Sequence, residues 1–276
     1  MLTYLVTSKD EIERYEHVAS LKTLFPNLIP IEAIYPSKIR IPFHNQIKSV
    51  TKDRTGRTLP DGALGCLLSH RSIWRRFLNQ ETEDFCLILE SDSKILDLNI
   101  IQSELKMMHT QYDLFFWGAF DNRMKLLRSS KVNVKEQYEI GIPLINSLYC
   151  TYGYSINKTA AKYLLANTKR FNFPVDYWKL RLKNASLKVG GILPNVVRTV
   201  PSFQSTISHS KSNIFDIIFD SIIDFKNNSG WIHASQLKKS EAFILLEDQI
   251  LFTKPLSFAA FTGIPYFCDN VAERRC

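Results

Sequence analysis

The chain has 276 residues, of which 45% are hydrophobic and 22% are charged. This apolar content is enough for one sizeable α/β core, and the composition excludes general disorder. The formal net charge is +8. The basic residues are scattered in short clusters such as Arg75-Arg76, so we expect no nucleic-acid partner.

The cysteines and the N-terminal segment bear on the cellular compartment. The 5 cysteines include no CxxC pair, so the sequence predicts neither a disulfide framework nor a zinc site. Residues 1–7 lack the basic start and long apolar stretch of a signal peptide. No apolar stretch reaches the roughly 18 residues that span a bilayer. We therefore expect a cytoplasmic protein.

Hydrophobic periodicity predicts alternating strands and helices in the first part of the chain. In chain order the prediction is a strand over 2–6, a helix over 10–25, a strand over 28–34 and a helix from Asp61, its N-cap, to about Leu78. Residues 36–60 are polar, basic and proline-containing, and they are predicted to form a long connection. Long connections in compact domains are often functional.

The second part of the chain continues the alternation. The predicted elements are strands over 84–90, 112–118, 147–156 and 187–193, with a helix over 158–167 that Asn157 caps. This order predicts an α/β fold with a mixed, mostly parallel sheet flanked by helices. The pattern changes past residue 212, where 213–225 is an apolar helix candidate. We therefore predict a main domain over 1–212 and a small helical appendage over 213–276.

The strand over 84–90 ends in the carboxylate of Glu90, and Ser91 and Asp92 follow it. In parallel sheets ligands bind beyond the carboxyl ends of strands, which also directs attention to Gly118. Two carboxylates at this spacing can hold a hard divalent cation, which in turn binds a diphosphate. Acidic residues after strands are also common helix caps, so the pattern alone leaves both interpretations open.

A second feature is a strip of small residues on the predicted helix over 61–78. Gly65, Ser69 and Ser72 fall on one helical face, where a sheet or a ligand can approach closely. Tight helix–sheet packing is the simpler interpretation. Next to this strip, His70 is either a ligand contact or a half-buried structural histidine.

Four segments in order carry a family resemblance: Gly65-Cys66-x-Leu68-Ser69-His70, Leu87-Ile88-Leu89-Glu90-x-Asp92, Tyr112-Asp113 with Gly118, and Gly153-Tyr154 leading to Ala160-Ala161. Together they resemble glycosyltransferase family 25, which includes lipopolysaccharide and lipooligosaccharide transferases and the collagen galactosyltransferases. The resemblance covers about residues 1–210. It implies a GT-A-like nucleotide-sugar-binding fold, inversion at the anomeric carbon and UDP-galactose as the usual donor.

The resemblance also implies roles for particular residues. The expected donor contacts are Arg14, Gly65, Ser69, His70, Glu90, Ser91, Asp92 and Gly118. We expect Mn²⁺ or Mg²⁺ at Asp92 and Glu90, with His209 either a late metal or phosphate ligand or an ordinary surface histidine. Asp176 matches the Pro-Val-Asp element of the family and is the candidate general base or acceptor ligand. Its alternative is a surface turn or helix-capping aspartate.

One departure from the family concerns Ser91, which stands where the family commonly has a carboxylate. Because of it, the alternative to a glycosyltransferase is a catalytically weakened nucleotide-sugar- or glycan-binding homologue. Restoring an aspartate at position 91 is expected to keep or raise activity. The expected acceptor is an oligosaccharide or glycolipid, with peripheral contact to the inner membrane through that acceptor.

Overall fold

The computed structural model describes residues 1–203 except 40, 42, 43, 56, 57, 81, 120, 121, 170, 172 and 184. The predicted boundary at 212, the helix candidate over 213–225 and the predicted ligand His209 lie outside these residues. Among the described helices, none combines the length and the apolarity needed to cross a bilayer.

The described residues form ten strands and six α-helices. The strands are β1 (Thr3–Thr7), β2 (Leu28–Glu32), β3 (Phe85–Glu90), β4 (Ser93–Ile95), β5 (Leu114–Phe116), β6 (Val132–Val134), β7 (Tyr138–Gly141), β8 (Gly153–Asn157), β9 (Val189–Leu193) and β10 (Val197–Thr199). The helices are α1 (Tyr15–Leu24), α2 (His44–Thr55), α3 (Asp61–Asn79), α4 (Leu98–Gln111), α5 (Lys158–Asn167) and α6 (Trp178–Leu182).

Eight of the strands form one sheet in the order β2-β1-β3-β8-β5-β9-β7-β6, and β10 pairs with β4 in a second, two-stranded sheet. In the large sheet the β1–β2, β1–β3 and β5–β9 pairs are parallel, and β8 runs antiparallel between β3 and β5. At the far edge, β6 and β7 form an antiparallel hairpin, and β7 pairs antiparallel with β9. The predicted mixed α/β sheet flanked by helices is thus confirmed.

The alternation of side chains along β3 explains how the sheet is covered. Leu87 and Leu89 share a buried cluster with Leu21 of α1 and Ile101 of α4, which cover one face. The opposite face of the sheet meets α3, whose Trp74 hydrogen-bonds to a tyrosine of β8. Burying each leucine of the cluster contributes about 1.5–3 kcal/mol to the stability of the fold. Because β3 is covered on both faces, its sequence is a continuous apolar run.

The structure corrects three predictions in the first part of the chain. The predicted helix over 10–25 begins with a 3₁₀ turn over Ile12–Arg14 and becomes α-helical only at Tyr15. The predicted connection over 36–60 contains α2, which its low hydrophobicity concealed. Asp61 does not cap α3, because Pro60 is the N-cap and the Asp61 carboxylate pairs with His44 and a lysine of α2.

In the second part of the chain, the predicted elements exist but two strands are shorter than expected. β5 occupies only the middle of the apolar run over 112–118, and β8 occupies the carboxyl part of the run over 147–156. The predicted cap is confirmed, since the Asn157 side chain accepts a hydrogen bond from the backbone N–H of Ala160. The sequence analysis assigned neither α4 nor the β6–β7 hairpin.

Candidate active site

The carboxyl end of β3 brings two carboxylates to the edge of the sheet. Side chains alternate along a strand, so Glu90 points to the same face as Ile88, toward α3. The chain then turns through Ser91 and Asp92 before β4 begins at Ser93. The predicted delivery of Glu90 and Asp92 by a buried strand is therefore what the structure has.

Backbone and hydroxyl hydrogen bonds hold this turn in place. The Ser93 hydroxyl accepts from the Glu90 N–H at 2.8 Å and donates to the carbonyl of Tyr152, just before β8. The Asp92 carbonyl accepts from the Val200 N–H at 2.8 Å, just after β10. The turn that carries both carboxylates is therefore hydrogen-bonded to the residue before β8 on one side and to the residue after β10 on the other.

Hydrogen-bond donors surround the Glu90 carboxylate. Its Oε1 accepts from His70 Nε2 at 3.0 Å and from the Thr151 hydroxyl at 2.5 Å, and the Cys66 thiol lies 3.9 Å away. Burial raises the pKa of Glu90, but the hydrogen bonds from His70 and Thr151 outweigh it and hold that pKa below its ordinary value. Glu90 is an anchored anion whose side chain remains 25% exposed.

Asp92 has the opposite environment. Its Oδ1 is buried and accepts no hydrogen bond from the described residues. Burial, followed by the negative charge of Glu90, raises the pKa of Asp92 to about 6. A buried oxygen without a donor costs free energy unless a ligand satisfies it. Asp92 therefore offers the unsatisfied oxygen that a bound cation would use.

The Ser91 hydroxyl belongs to a separate buried network with the segment before α1. It donates to Glu11 Oε2 at 2.8 Å and accepts from Arg14 Nη1 at 2.8 Å. Glu11 also accepts from the Tyr35 hydroxyl at 2.9 Å, and its Oε1 lies 3.5 Å from Arg14 Nη1. The side chain at position 91 thus already faces a carboxylate, which Glu11 supplies.

Arg14 is only 5% exposed in this network. Its guanidinium lies 5.4 Å from the centre of the Phe203 ring, which also packs edge-on against His17. The positive charge of Arg14 lowers the pKa of Asp92, although burial and Glu90 prevail. Arg14 therefore acts on the site electrostatically, and its predicted contact with a donor stays a prediction.

His70 lies behind Glu90 and is wholly buried. Its Nδ1 lies 2.7 Å from the Tyr154 hydroxyl, and its Nε2 bonds Glu90. Tyr154 also accepts from Trp74 Nε1 at 3.0 Å. Both ring nitrogens are engaged, so this histidine reaches the cleft through Glu90, and its predicted contact with the donor stays a prediction.

Asp176 comes to the same region from another part of the chain. It lies half-buried in the turn that precedes α6. The pKa of the Cys66 thiol is raised by burial and then by the charges of Glu90, Asp176 and Asp92. The charges of three carboxylates therefore act on one half-buried thiol, and the sequence prediction that Asp176 faces the cleft stays a prediction. A thiol with a raised pKa is a poor nucleophile.

Three of the predicted donor contacts serve packing in the described structure. A Cβ on Gly65 would lie 2.1 Å from the Ile34 carbonyl oxygen, and one on Gly118 would lie 2.0 Å from the Val197 carbonyl oxygen. The Ser69 hydroxyl accepts from the Ile34 N–H and donates to the Gly65 carbonyl. Tight packing thus accounts for the small side chains of the strip and for Gly118, and their contact with a donor stays a prediction.

Two sets of side chains can be considered as metal ligands. Asp92 and Glu90 offer the carboxylate oxygens that Mn²⁺ and Mg²⁺ prefer, and Asp92 Oδ1 is unsatisfied. Within the described residues, Cys66, His70 and Glu90 also have ligand atoms within 4.8 Å of one another. Their mutual hydrogen bonds already account for that proximity. The predicted carboxylate site therefore fits a hard divalent cation better.

Sequence reasoning missed Glu11, Thr151 and the role of Tyr154. Tyr154 lies in a segment that the sequence analysis quoted, but only its pairing opposite Ile88 places it beside α3. Glu11 and Thr151 have no motif of their own. Thr151 follows Cys150, whose φ of 73° turns the backbone before β8. Such contacts between distant segments have no signature in one sequence.

Comparisons with known proteins address the family. Residues 1–178 match the profile of Glycosyltransferase family 25 (LPS biosynthesis protein). The chain belongs to glycosyltransferase family 25. The match includes the β3 turn with Glu90 and Asp92 and also Asp176.

Two further similarities accompany the family match. Procollagen galactosyltransferase 1 of Danio rerio is 30% identical over 133 residues, which cover 44% of this chain and 20% of the relative. The chain thus spans about a fifth of that protein's length. The crystal structure of A197 from STIV covers 76% of this chain and 99% of its own, at 11% identity and a TM-score of 0.36.

Proposed function

We propose that this family 25 member is an inverting glycosyltransferase. It moves a sugar, most simply galactose from UDP-galactose, onto a saccharide acceptor of lipopolysaccharide, lipooligosaccharide or a related surface glycan. The observation that carries the proposal is the buried, unsatisfied Asp92 oxygen beside the anchored Glu90 at the end of β3. The family description and the name of the zebrafish relative favour this substrate class.

In this proposal the donor diphosphate binds beyond β3. Asp92 is the carboxylate that would hold Mn²⁺ or Mg²⁺, with Glu90 adding negative charge from its anchored position. A bound divalent cation would neutralise the charge that develops on the departing nucleotide diphosphate. Arg14 and Glu11 sit behind this turn and set its local charge.

Asp176 is the proposed general base. In an inverting transfer, the acceptor hydroxyl gives its proton to the Asp176 carboxylate as its oxygen bonds to the anomeric carbon. The bond from that carbon to the diphosphate breaks on the opposite face, and its electron pair leaves with the nucleotide diphosphate. Two observations support this role: Asp176 lies in the turn before α6, and its negative charge raises the pKa of Cys66 beside Glu90.

The proposed place of action is the cytoplasmic face of the inner membrane. A glycolipid acceptor would bring the enzyme there by peripheral contact. The formal net charge of the chain is +8, and this positive charge would favour its approach to the anionic phosphate groups of lipids.

A catalytically weakened binding homologue is the second candidate, and Ser91 is the observation that favours it. Against it, the Ser91 hydroxyl engages Glu11 and Arg14, while Glu90 and Asp92 keep their carboxylates. The loss of an acid at position 91 therefore removes no oxygen from the Glu90–Asp92 pair.

The test is release of nucleotide diphosphate from a panel of nucleotide sugars, with and without Mn²⁺ and with saccharide acceptors. The proposal expects UDP release from UDP-galactose that needs both the cation and an acceptor and yields product of inverted anomeric configuration. Donor binding without any release would support the weakened homologue instead. Absence of binding to every nucleotide sugar and to every saccharide acceptor would overturn both.

A further inference from the structure

Three buried side chains behind Glu90 form one continuous chain of hydrogen bonds. Trp74 Nε1 lies 3.0 Å from the Tyr154 hydroxyl, which lies 2.7 Å from His70 Nδ1, and His70 Nε2 lies 3.0 Å from Glu90 Oε1. Trp74, Tyr154 and His70 are each 0% exposed. This chain of hydrogen bonds runs from the core between α3 and the sheet to Glu90, whose side chain is partly exposed.

The chain of hydrogen bonds has one direction that satisfies all of its members. An indole N–H can only donate, so the Tyr154 oxygen accepts from Trp74. The Tyr154 hydroxyl hydrogen then needs an acceptor, and His70 Nδ1 is the one at hydrogen-bond distance. With Nδ1 accepting, the imidazole carries its proton on Nε2 and donates it to Glu90. The opposite tautomer would point a lone pair at the carboxylate.

The surroundings hold this arrangement rigidly. The Tyr154 ring packs edge-on against Trp178 at 5.6 Å and tilted against Phe116 at 6.4 Å. The His70 ring lies 5.7 Å from the Tyr154 ring. Close-packed aromatic rings leave the hydroxyl and the imidazole little freedom to change partners.

We infer that His70 and Tyr154 are positioning residues, with the Tyr154 hydroxyl donating to Nδ1 of the imidazole and His70 holding the Glu90 carboxylate toward the donor site. This inference rests on the proposed function, because Glu90 matters to catalysis only if donor or cation binds beside Asp92. Mutating a residue that hydrogen-bonds to a functional side chain commonly lowers activity by about 10- to 100-fold.

The decisive variants keep or remove the hydrogen-bond donor at position 70. His70→Gln can still present an N–H to Glu90, whereas His70→Leu presents none. We expect kcat/KM for sugar transfer to fall at least about tenfold in His70→Leu, and His70→Gln to recover most of that loss. Equal loss in both variants at equal thermal stability would overturn the positioning role.

Tyr154→Phe removes the hydrogen bond to Nδ1 while keeping the ring. We expect Nε2–H for His70 in the wild-type protein by ¹⁵N NMR, with the signal assigned by its loss in His70→Gln. In Tyr154→Phe, Nδ1 loses its hydrogen-bond donor, so its ¹⁵N signal should shift and transfer should weaken, while Nε2 keeps the proton that it donates to Glu90. An Nδ1–H tautomer in the wild type would overturn the inference and point instead to an ion on Nε2.

These measurements separate this inference from the proposed function. The tautomer is read without donor or acceptor, so it is decided even if His70→Leu fails to fold. If no nucleotide sugar reacts with the wild-type protein, the proposed function fails while the tautomer result stands. If transfer occurs but is the same in wild type, His70→Gln and His70→Leu, only the positioning role fails.

Discussion

Glu90 and Asp92 are separated by one residue, yet their carboxylates are in opposite states. Glu90 accepts hydrogen bonds from His70 and Thr151, and its pKa lies below the ordinary value. Asp92 Oδ1 is buried without a hydrogen-bond donor among the described residues, and the pKa of Asp92 is raised to about 6.

The difference follows from what each side chain faces. Glu90 meets α3, whose His70 donates a hydrogen bond, whereas Asp92 lies in the turn after the strand. The negative charge of Glu90 itself contributes to the raised pKa of Asp92. An anchored anion that leaves its neighbour unsatisfied creates a place for a cation, and this comparison suggests four tests.

The largest effect is expected at Asp176. Asp176→Asn keeps nearly the same size but cannot accept the proton of the acceptor hydroxyl. If Asp176 is the base, kcat should fall on the order of 10²- to 10⁴-fold with donor affinity largely kept. The measurement is the initial rate against acceptor concentration at saturating donor.

A residue that only binds the acceptor would behave differently. In that case Asp176→Asn would raise the KM for the acceptor and leave kcat nearly unchanged. A kcat within about threefold of wild type, well below the range for general base catalysis, would remove Asp176 as the base.

The second effect is expected at Asp92. Asp92→Ala should lower transfer by about 100-fold or more while the protein stays folded, because the carboxylate lies on a turn and stabilises charge in the transition state. Asp10→Asn is a matched control, since the Asp10 side chain is 60% exposed and pairs with Lys38 on the surface. Activity that ignores both Asp92→Ala and EDTA would contradict the cation role.

The sequence predicted the strands that carry the site better than the contacts between them. β3 is a continuous apolar run with an acidic end, so its burial and the exit of Glu90 and Asp92 could be predicted. The partners of Glu90 come from α3 and from the residues before β8, 20 and 61 positions away. Such pairing depends on sheet order and on the antiparallel insertion of β8, which no local pattern encodes.

The third test concerns the effect of Ser91→Asp on stability, while the expectation that this change keeps or raises activity stays a prediction. The Ser91 hydroxyl lies 2.8 Å from a Glu11 carboxylate oxygen. Ser91→Asp would bury two like charges, and we expect it to lower the free energy of unfolding by about 2–3 kcal/mol. Denaturant unfolding gives this value.

A charge swap is the matched control for that variant. In Glu11→Ser with Ser91→Asp, the carboxylate moves to position 91 and Arg14 keeps an anionic partner. Most of the lost stability should return. A double variant no more stable than Ser91→Asp alone would show that repulsion from Glu11 is not the cause.

The smallest effect is a pH-dependent gain in stability from Asp92→Asn. A folded-state pKa raised to about 6 means that protonated Asp92 favours the fold at low pH, and that this contribution is lost as the pH rises through about 6. Asp92→Asn should therefore equal wild type near pH 4 and exceed it by about 1–2 kcal/mol near pH 8. A gain of the same size at both pH values would refute the raised pKa.

We propose that Asp92, and not the saturated Glu90 oxygen, offers the open position for a cation. Calorimetric titration of Mn²⁺ in the presence of UDP, for wild type, Asp92→Asn and Asp10→Asn, tests this role of Asp92 most directly. We expect Asp92→Asn to weaken Mn²⁺ binding by about 10- to 100-fold and Asp10→Asn to leave it unchanged. Equal Mn²⁺ affinity in all three proteins would contradict it.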